Sequence, residues 1–269
     1  MEDAASMARL IGALRPWLGH LVIVGGWAHR LYRTHALAVA PTYPPVRTRD
    51  VDLALSLQVP LPGDIADALT RAGFGRTLSG DHTPPVTHYT LEDDVGFYAE
   101  FLAPLQGAEV KRGKPDVTVA TAGITAQKLR YLDLLLVAPW SVSVGRSINV
   151  PLEPPVDVLL PNPVSYIVQK LLIHEKRRPN KQAQDLLYMH DTLELFGGAL
   201  EELRVIWRDH VRPSMPERTA KRAEALARIL FANITDRIRD AARIPDGRRL
   251  SAENLRAAAE YGLGEVLQA

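Results

Sequence analysis

The chain has 269 residues, a formal net charge of +1, an apolar fraction of 46% and no cysteine. That length suits one large domain or two ordinary ones, and the apolar fraction is that of a globular protein. Near-neutral charge excludes a protein that binds polyanions through bulk charge. The lack of cysteine excludes disulfides, thiolate zinc sites and cysteine nucleophiles, and is compatible with a reducing cytoplasm.

In chain order, the acidic start Met1-Glu2-Asp3 is unlike a basic, apolar leader, so no signal peptide is expected. Residues 3–18 read as a helix with Met7, Leu10, Ile11, Leu14 and Leu18 on one face. Residues 21–24 form a short buried strand, Gly25-Gly26 a turn, and 27–38 a helix. Pro41, Pro44 and Pro45 make 39–47 a loop. Residues 50–57 alternate as a strand. Asp64 is placed to cap a helix over 65–72 that ends at Gly73. Val86–Glu92 and Val95–Leu102 read as a hairpin around Asp93-Asp94. Residues 117–160 give further short strands and turns, with a helical piece near 125–132. The longest apolar run, Leu134 to Trp140, is far too short for a membrane span and contains Pro139. From Pro163 the chain turns helical. Helices are expected over 164–176, over 181–196 after a break at Pro179 and before Gly197-Gly198, and over 199–211, 216–241 and 251–267, with Ser251 as the last N-cap. The fold class is α+β, with an α/β domain over 1–162 and a helical domain over 163–269. A soluble, cytoplasmic protein is expected. The helical half has apolar stripe enough to bury against itself, so nothing in it forces a dimer.

The most informative pattern is Gly25-Gly26 followed by Arg47-Thr48-Arg49-Asp50-Val51-Asp52-Leu53. Asp50 and Asp52 sit two apart on a strand and so point to one face, while Val51, Leu53 and Leu55 point to the other. Two neighbouring carboxylates repel unless a cation lies between them, and a divalent metal with oxygen ligands is the usual solution. The pattern therefore suggests a Mg²⁺-dependent site for a nucleoside triphosphate, and two metal ions generally need a third acid. Glu100, alone in the apolar strand Phe97–Leu102, is the best candidate, since an unpaired charge there would be costly. Asp93 and Asp94 compete for that role, but turns favour aspartate for its own sake. Small residues between a strand and a helix bring backbone N–H groups near phosphate oxygens.

These residues resemble the DNA polymerase β-type nucleotidyltransferase superfamily, and within it the bacterial AbiEii and MenT toxin group. The resemblance covers residues 20–105 well and 163–190 loosely, and it implies a mixed sheet flanked by helices. It assigns metal binding to Asp50, Asp52 and Glu100, with two Mg²⁺ ions, and places Gly25 and Gly26 against the triphosphate. The 23 residues from Trp27 to Arg49 include a proline-rich loop longer than compact members carry. Members of the toxin group carry a lysine on one helix and a basic residue and aspartate on the next. Lys170, Lys181 and Asp185 could fill those positions, with Lys181 and Asp185 one helical turn apart and suited to an ion pair.

Arg49 divides evenly between a surface role and phosphate contact, and Arg177 and Arg178 suit acceptor contact or a solvated face. His29 reads as an ordinary helix residue. The eight histidines show no zinc spacing. The Ser79–His82 stretch is a poor hydrolytic triad. Residues 210–249 hold ten Lys/Arg against five Asp/Glu, a surface that RNA could contact but that is more often simply solvated. The expected activity is transfer of a nucleoside monophosphate from an NTP to an acceptor hydroxyl. By resemblance, the acceptor is a tRNA 3′ end and a cognate antitoxin is a possible partner. A protein or a small molecule such as an antibiotic is the alternative acceptor. The competing class is a non-catalytic nucleotide-binding or interaction module.

Overall fold

The computed structural model describes residues 3–80, 84–94, 96–108, 110–111 and 114–268. Met1, Glu2, Asp81, His82 and Val95, which figure in the sequence reading, lie outside the described residues. The chain divides into two compact units, one of residues 1–28 and 47–161, the other of residues 29–46 and 162–269.

The first unit is built on a mixed sheet. Its first strands are β1 (Leu21–Val24), β2 (Asp50–Leu55), β3 (Phe74–Ser79), β4 (Val86–Leu91) and β5 (Tyr98–Pro104), joined by four later strands. Between these, β6 (Val110–Lys111) and β7 (Lys114–Pro115) pair only with each other. The later strands are β8 (Thr118–Thr121), β9 (Ile124–Leu129), β10 (Trp140–Val144) and β11 (Val156–Leu160). The order is β10-β11-β1-β2-β5-β4-β3, with β9 pairing β5 and β8. The central pairs β1/β11 and β2/β5 are parallel, and β1/β2 and β4/β5 are antiparallel.

Helix α1 (Ala4–Leu14) follows from its apolar stripe, with Met7, Leu10, Ile11 and Leu14 buried. Helix α2 (Gly25–Leu31) begins at the first glycine of the pair and tightens into a 3₁₀ turn over Tyr32–Thr34, shorter than the 27–38 expected. Helix α3 (Ile65–Arg71) starts where expected, because the Asp64 side chain accepts a hydrogen bond from the Asp67 N–H at 2.8 Å. The helical piece expected near 125–132 is absent. Those residues carry β9, whose Ile124 and Ala126 are buried while Thr125 and Gln127 are half-buried, the alternation of a strand. Strand β3 escaped the sequence reading because its middle four residues are all exposed.

In the second unit, α4 (Pro163–Ile173) is capped by Asn162, which accepts from the Ser165 N–H at 2.8 Å. Pro179 does not merely interrupt the helix. It opens α5 (Pro179–Leu195) at the first position, where a missing N–H costs nothing. Next come α6 (Leu200–Ile206), which runs on as a π turn over Trp207–Val211, and α7 (Glu217–Phe231). The single helix expected over 216–241 is two, since Thr235 ends the gap after α7 by capping α8 (Asp236–Arg243). Helix α9 (Ala252–Val266) starts at its Ser251 cap. No helix among the described residues is long and apolar enough to cross a membrane.

Candidate active site

The β1 strand is buried throughout and delivers the chain to Gly25, whose backbone is left-handed with φ +64. Left-handed backbone at this point favours glycine, and space demands it as well. A Cβ on Gly25 would fall upon Asp52 Oδ2 and 3.1 Å from Asp52 Cγ. A Cβ on Gly26 would lie 2.7 Å from Thr48 Cγ2 and 2.9 Å from Thr48 Oγ1. The two glycines therefore let the backbone press against two side chains from the second half of the motif.

Strand register assembles the acids. Val24 on β1 faces Asp52 on β2, and Asp52 in turn is the partner of Glu100 on parallel β5. Asp50 is the partner of Tyr98. Paired residues share a face of a sheet, so Asp50, Asp52 and Glu100 project from one side. All three are half-buried, whereas Val51, Leu53, Ala99 and Phe101, on the opposite face, are fully buried. Further along the acid-bearing face, Val22, Val24, Ala54 and Leu102 close into an apolar cluster with Leu132 and Leu135. Apolar packing thus ends where the carboxylates begin.

Neighbours on this face respond to the acids. Thr48 donates its hydroxyl to Asp50 Oδ1. His88, the β4 partner of Glu100, brings Nε2 to 3.1 Å from Glu100 Oε2, and burial lowers the pKa of its ring. The His88 ring also stacks on Tyr98, with centroids 5.0 Å apart. The Tyr98 phenol is pushed up to about 12 by burial, reinforced by the charges of Asp50, Glu100 and Asp52. It stays protonated. Three carboxylates on adjacent strands offer hard oxygen ligands and no thiolate, a donor set that fits Mg²⁺ or Mn²⁺.

The rival acids are engaged elsewhere. Asp93 pairs with Arg9 at 2.9 Å, and Asp94 accepts from Ser6 at 2.5 Å, both on α1. Arg49 is exposed, and its guanidinium runs over Gly96, where a Cβ would sit 2.9 Å from Nη1.

In the helical unit, Lys170 is buried and its ammonium lies 2.6 Å from Asp185 Oδ1. It also lies 4.7 and 4.9 Å from the ring centroids of Tyr166 and Tyr188. Arg177 reaches the other oxygen of Asp185 at 3.1 Å. Burial alone would raise the Asp185 pKa, but the two cations outweigh it and hold the carboxyl below its ordinary value. The ion pair expected between Lys181 and Asp185 is not formed. Lys181 is exposed and bonds Gln184 at 3.1 Å instead. Lys170 comes from α4 and Arg177 from the short link between α4 and α5, and both meet Asp185 in the second turn of α5.

A second polar group escaped the sequence reading. His190, Asp191 and Glu194 cluster on α5 with ligand atoms close enough to hold a metal ion. The signal was present as the i,i+4 spacing of His190 and Glu194. Arg248 already bonds Asp191 and, at 2.9 Å, Glu194. The Tyr43 hydroxyl also bonds Glu194, and the Arg248 guanidinium stacks 3.7 Å over the Tyr43 ring. Arg33 donates to the Tyr43 carbonyl at 2.7 Å, and the Val39 N–H to the Leu195 carbonyl at 2.8 Å. The proline-rich segment is thereby pinned to α5.

Searches of curated proteins and of solved structures return no match. A family model described as nucleotidyltransferase matches residues 2–212, most of the chain, and the protein belongs to that family.

Proposed function

We propose that the protein is a divalent-metal-dependent enzyme that transfers a nucleoside monophosphate from an NTP to an acceptor hydroxyl, with release of pyrophosphate. The observation that carries this is the strand register. It sets Asp50, Asp52 and Glu100 side by side on one face, next to a glycine pair, in a chain of the nucleotidyltransferase family. Asp50 and Asp52 would hold two Mg²⁺ ions, and Glu100 would complete the second. Bound there, the ions would offset the charge of the triphosphate and of the transition state. Gly25 and Gly26, having no Cβ, let phosphate oxygens approach the backbone. In the transfer step, the acceptor oxygen bonds to the α-phosphorus and the bond from that phosphorus to the α,β-bridging oxygen breaks. The acceptor proton passes to Glu100, and pyrophosphate leaves.

For the cations the proposal is uneven. Arg49 and Lys181 are exposed and suited to phosphate contact. Lys170 is matched by Asp185, and any phosphate contact it makes would be made from within that ion pair. As acceptor we favour RNA, the tRNA 3′ end in particular, as in the toxin group that the motif resembles. A cognate antitoxin and a cytoplasmic setting would accompany that reading. A protein or small-molecule acceptor is the second reading.

The test incubates the purified protein with Mg²⁺, total RNA and each of the four labelled NTPs, beside an Asp52→Ala control. Label on RNA that disappears in the control supports the proposal. Label on protein or on a small molecule redirects the acceptor. No transfer from any NTP to any of these sinks the enzyme reading, and NTP binding without transfer would favour the non-catalytic module.

A further inference from the structure

We infer that Thr48 is a positioning residue that presets the Asp50 carboxylate for metal binding, and that Gly26 is glycine in order to seat it. The inference rests on the metal-site reading above, extends it to Thr48, and gives Gly26 a second task beside the phosphate contact proposed for it.

Thr48 lies on the irregular segment just before β2, where no ladder partner fixes its side chain. Two contacts fix it instead. Its hydroxyl donates to Asp50 Oδ1, two residues on. Its Cβ, Cγ2 and Oγ1 occupy the volume that a Cβ on Gly26 would need, at 2.8, 2.7 and 2.9 Å. A threonine side chain has few χ1 choices, so backing it against a glycine leaves its hydroxyl one direction in which to point. Asp50 opens its strand and is half-buried. A carboxylate in such a place would otherwise sample several rotamers. The hydrogen bond holds one oxygen and would leave the other to a metal ion on the face that register gives to Asp50, Asp52 and Glu100. Ligating carboxylates depend on such outer partners for orientation, and losing one typically costs about 10–100-fold in metal affinity or activity. Thr48 thus ties the glycine turn after β1 to the first acid of β2.

Two substitutions separate the hydroxyl from the shape. Thr48→Val keeps both branches and removes the donor, and Thr48→Ser keeps the donor and removes one branch. The probe is Mn²⁺, titrated by electron paramagnetic resonance without nucleotide, followed by steady-state NMP transfer. Thr48→Val should weaken Mn²⁺ binding about 10–100-fold and lower kcat by a similar factor, with KM for NTP changed less than about threefold. Thr48→Ser should stay within about threefold of the parent protein in both readouts. Gly26→Ala should weaken Mn²⁺ binding as Thr48→Val does, and adding it to Thr48→Val should weaken it little further, because both act through one hydrogen bond. Thermal unfolding of each variant checks that the fold is kept. Mn²⁺ binding unchanged in Thr48→Val overturns the inference, as does an equal loss in Thr48→Ser. If the parent protein binds Mn²⁺ and transfers no nucleotide, the proposed function fails while the titration still decides the role of Thr48.

Discussion

Gly25→Ala separates what the glycine turn does for the fold from what it does for the site. Two costs attach to the added methyl. A left-handed backbone at a residue with a Cβ costs roughly 1–2 kcal/mol. The methyl also lands on Asp52 Oδ2, with Asp52 Cγ 3.1 Å away and Asp52 Cβ 3.6 Å away. The offending atom is the end of a half-buried side chain, so Asp52 can swing aside, and little stability beyond the backbone term should be lost. The site has no such freedom. To reach ordinary contact the carboxylate must retreat by about an ångström or more, a displacement that can cost about 10²-fold in rate. Urea denaturation should therefore show a loss of about 1–2 kcal/mol, which leaves a typical domain almost fully folded, while kcat/KM for NMP transfer falls about 100-fold. Gly12→Ala is the control. Gly12 lies within α1 with nothing within 4 Å of an added Cβ, and alanine there should be neutral or slightly stabilising with activity intact. Gly25→Ala retaining full activity would refute the reasoning, and so would an activity loss no larger than its loss of folded protein.

The helical unit and the third acid give three further expectations. Lys170→Ala leaves Asp185 buried beside one cation instead of two, and should cost about 3–5 kcal/mol in urea denaturation, whereas a loss below about 1 kcal/mol would mean that the pair is dispensable. His29 is fully buried with no hydrogen-bond partner on either ring nitrogen, and burial, partly opposed by Asp191, lowers its pKa from 6.5 to about 4. The unfolded chain takes up a proton below 6.5 that the folded chain refuses until about 4, so stability falls as pH drops through that window. The loss attributable to His29 at about pH 5 is roughly 2 kcal/mol, and His29→Phe, packed against Tyr188 and Tyr166, should lose that much less than the parent between about pH 7.5 and about pH 5. Equal losses in the two proteins would remove His29 from the account. Glu100→Gln, at a half-buried strand position, should lower NMP transfer at least about 100-fold with a denaturation free energy within about 0.5 kcal/mol of the parent. Retained activity would take Glu100 out of the chemistry.

What the sequence made legible follows from how locally each feature is encoded. Asp50 and Asp52 share a face because a strand alternates, a property of adjacent residues, and the β2 pattern reproduces it. The caps at Asp64 and Ser251 are equally local and appear where expected. Glu100 was singled out by a local anomaly, a charge in an apolar strand, although its meeting with Asp52 depends on a parallel pairing that no short-range rule dictates. Local rules failed where tertiary contacts decide. Strand β9 carries residues compatible with a helix and becomes a strand by pairing with β5 and β8. Lys181 and Asp185 satisfy the helix-spacing rule, yet buried Asp185 takes Lys170 and Arg177, because desolvation rewards the cations that can reach it inside the unit. The same limit hid the Arg248 bonds to Asp191 and Glu194, which join residues 54 and 57 positions apart. The motif itself shows the boundary most sharply. Its glycines were legible as a turn, but the reason both must be glycine lies in Asp52 and Thr48, more than twenty residues onward in the chain and in contact only after β1 and β2 have paired. A site that looks like two short motifs is, physically, one packing unit, and substitutions in either half should be read as perturbations of both.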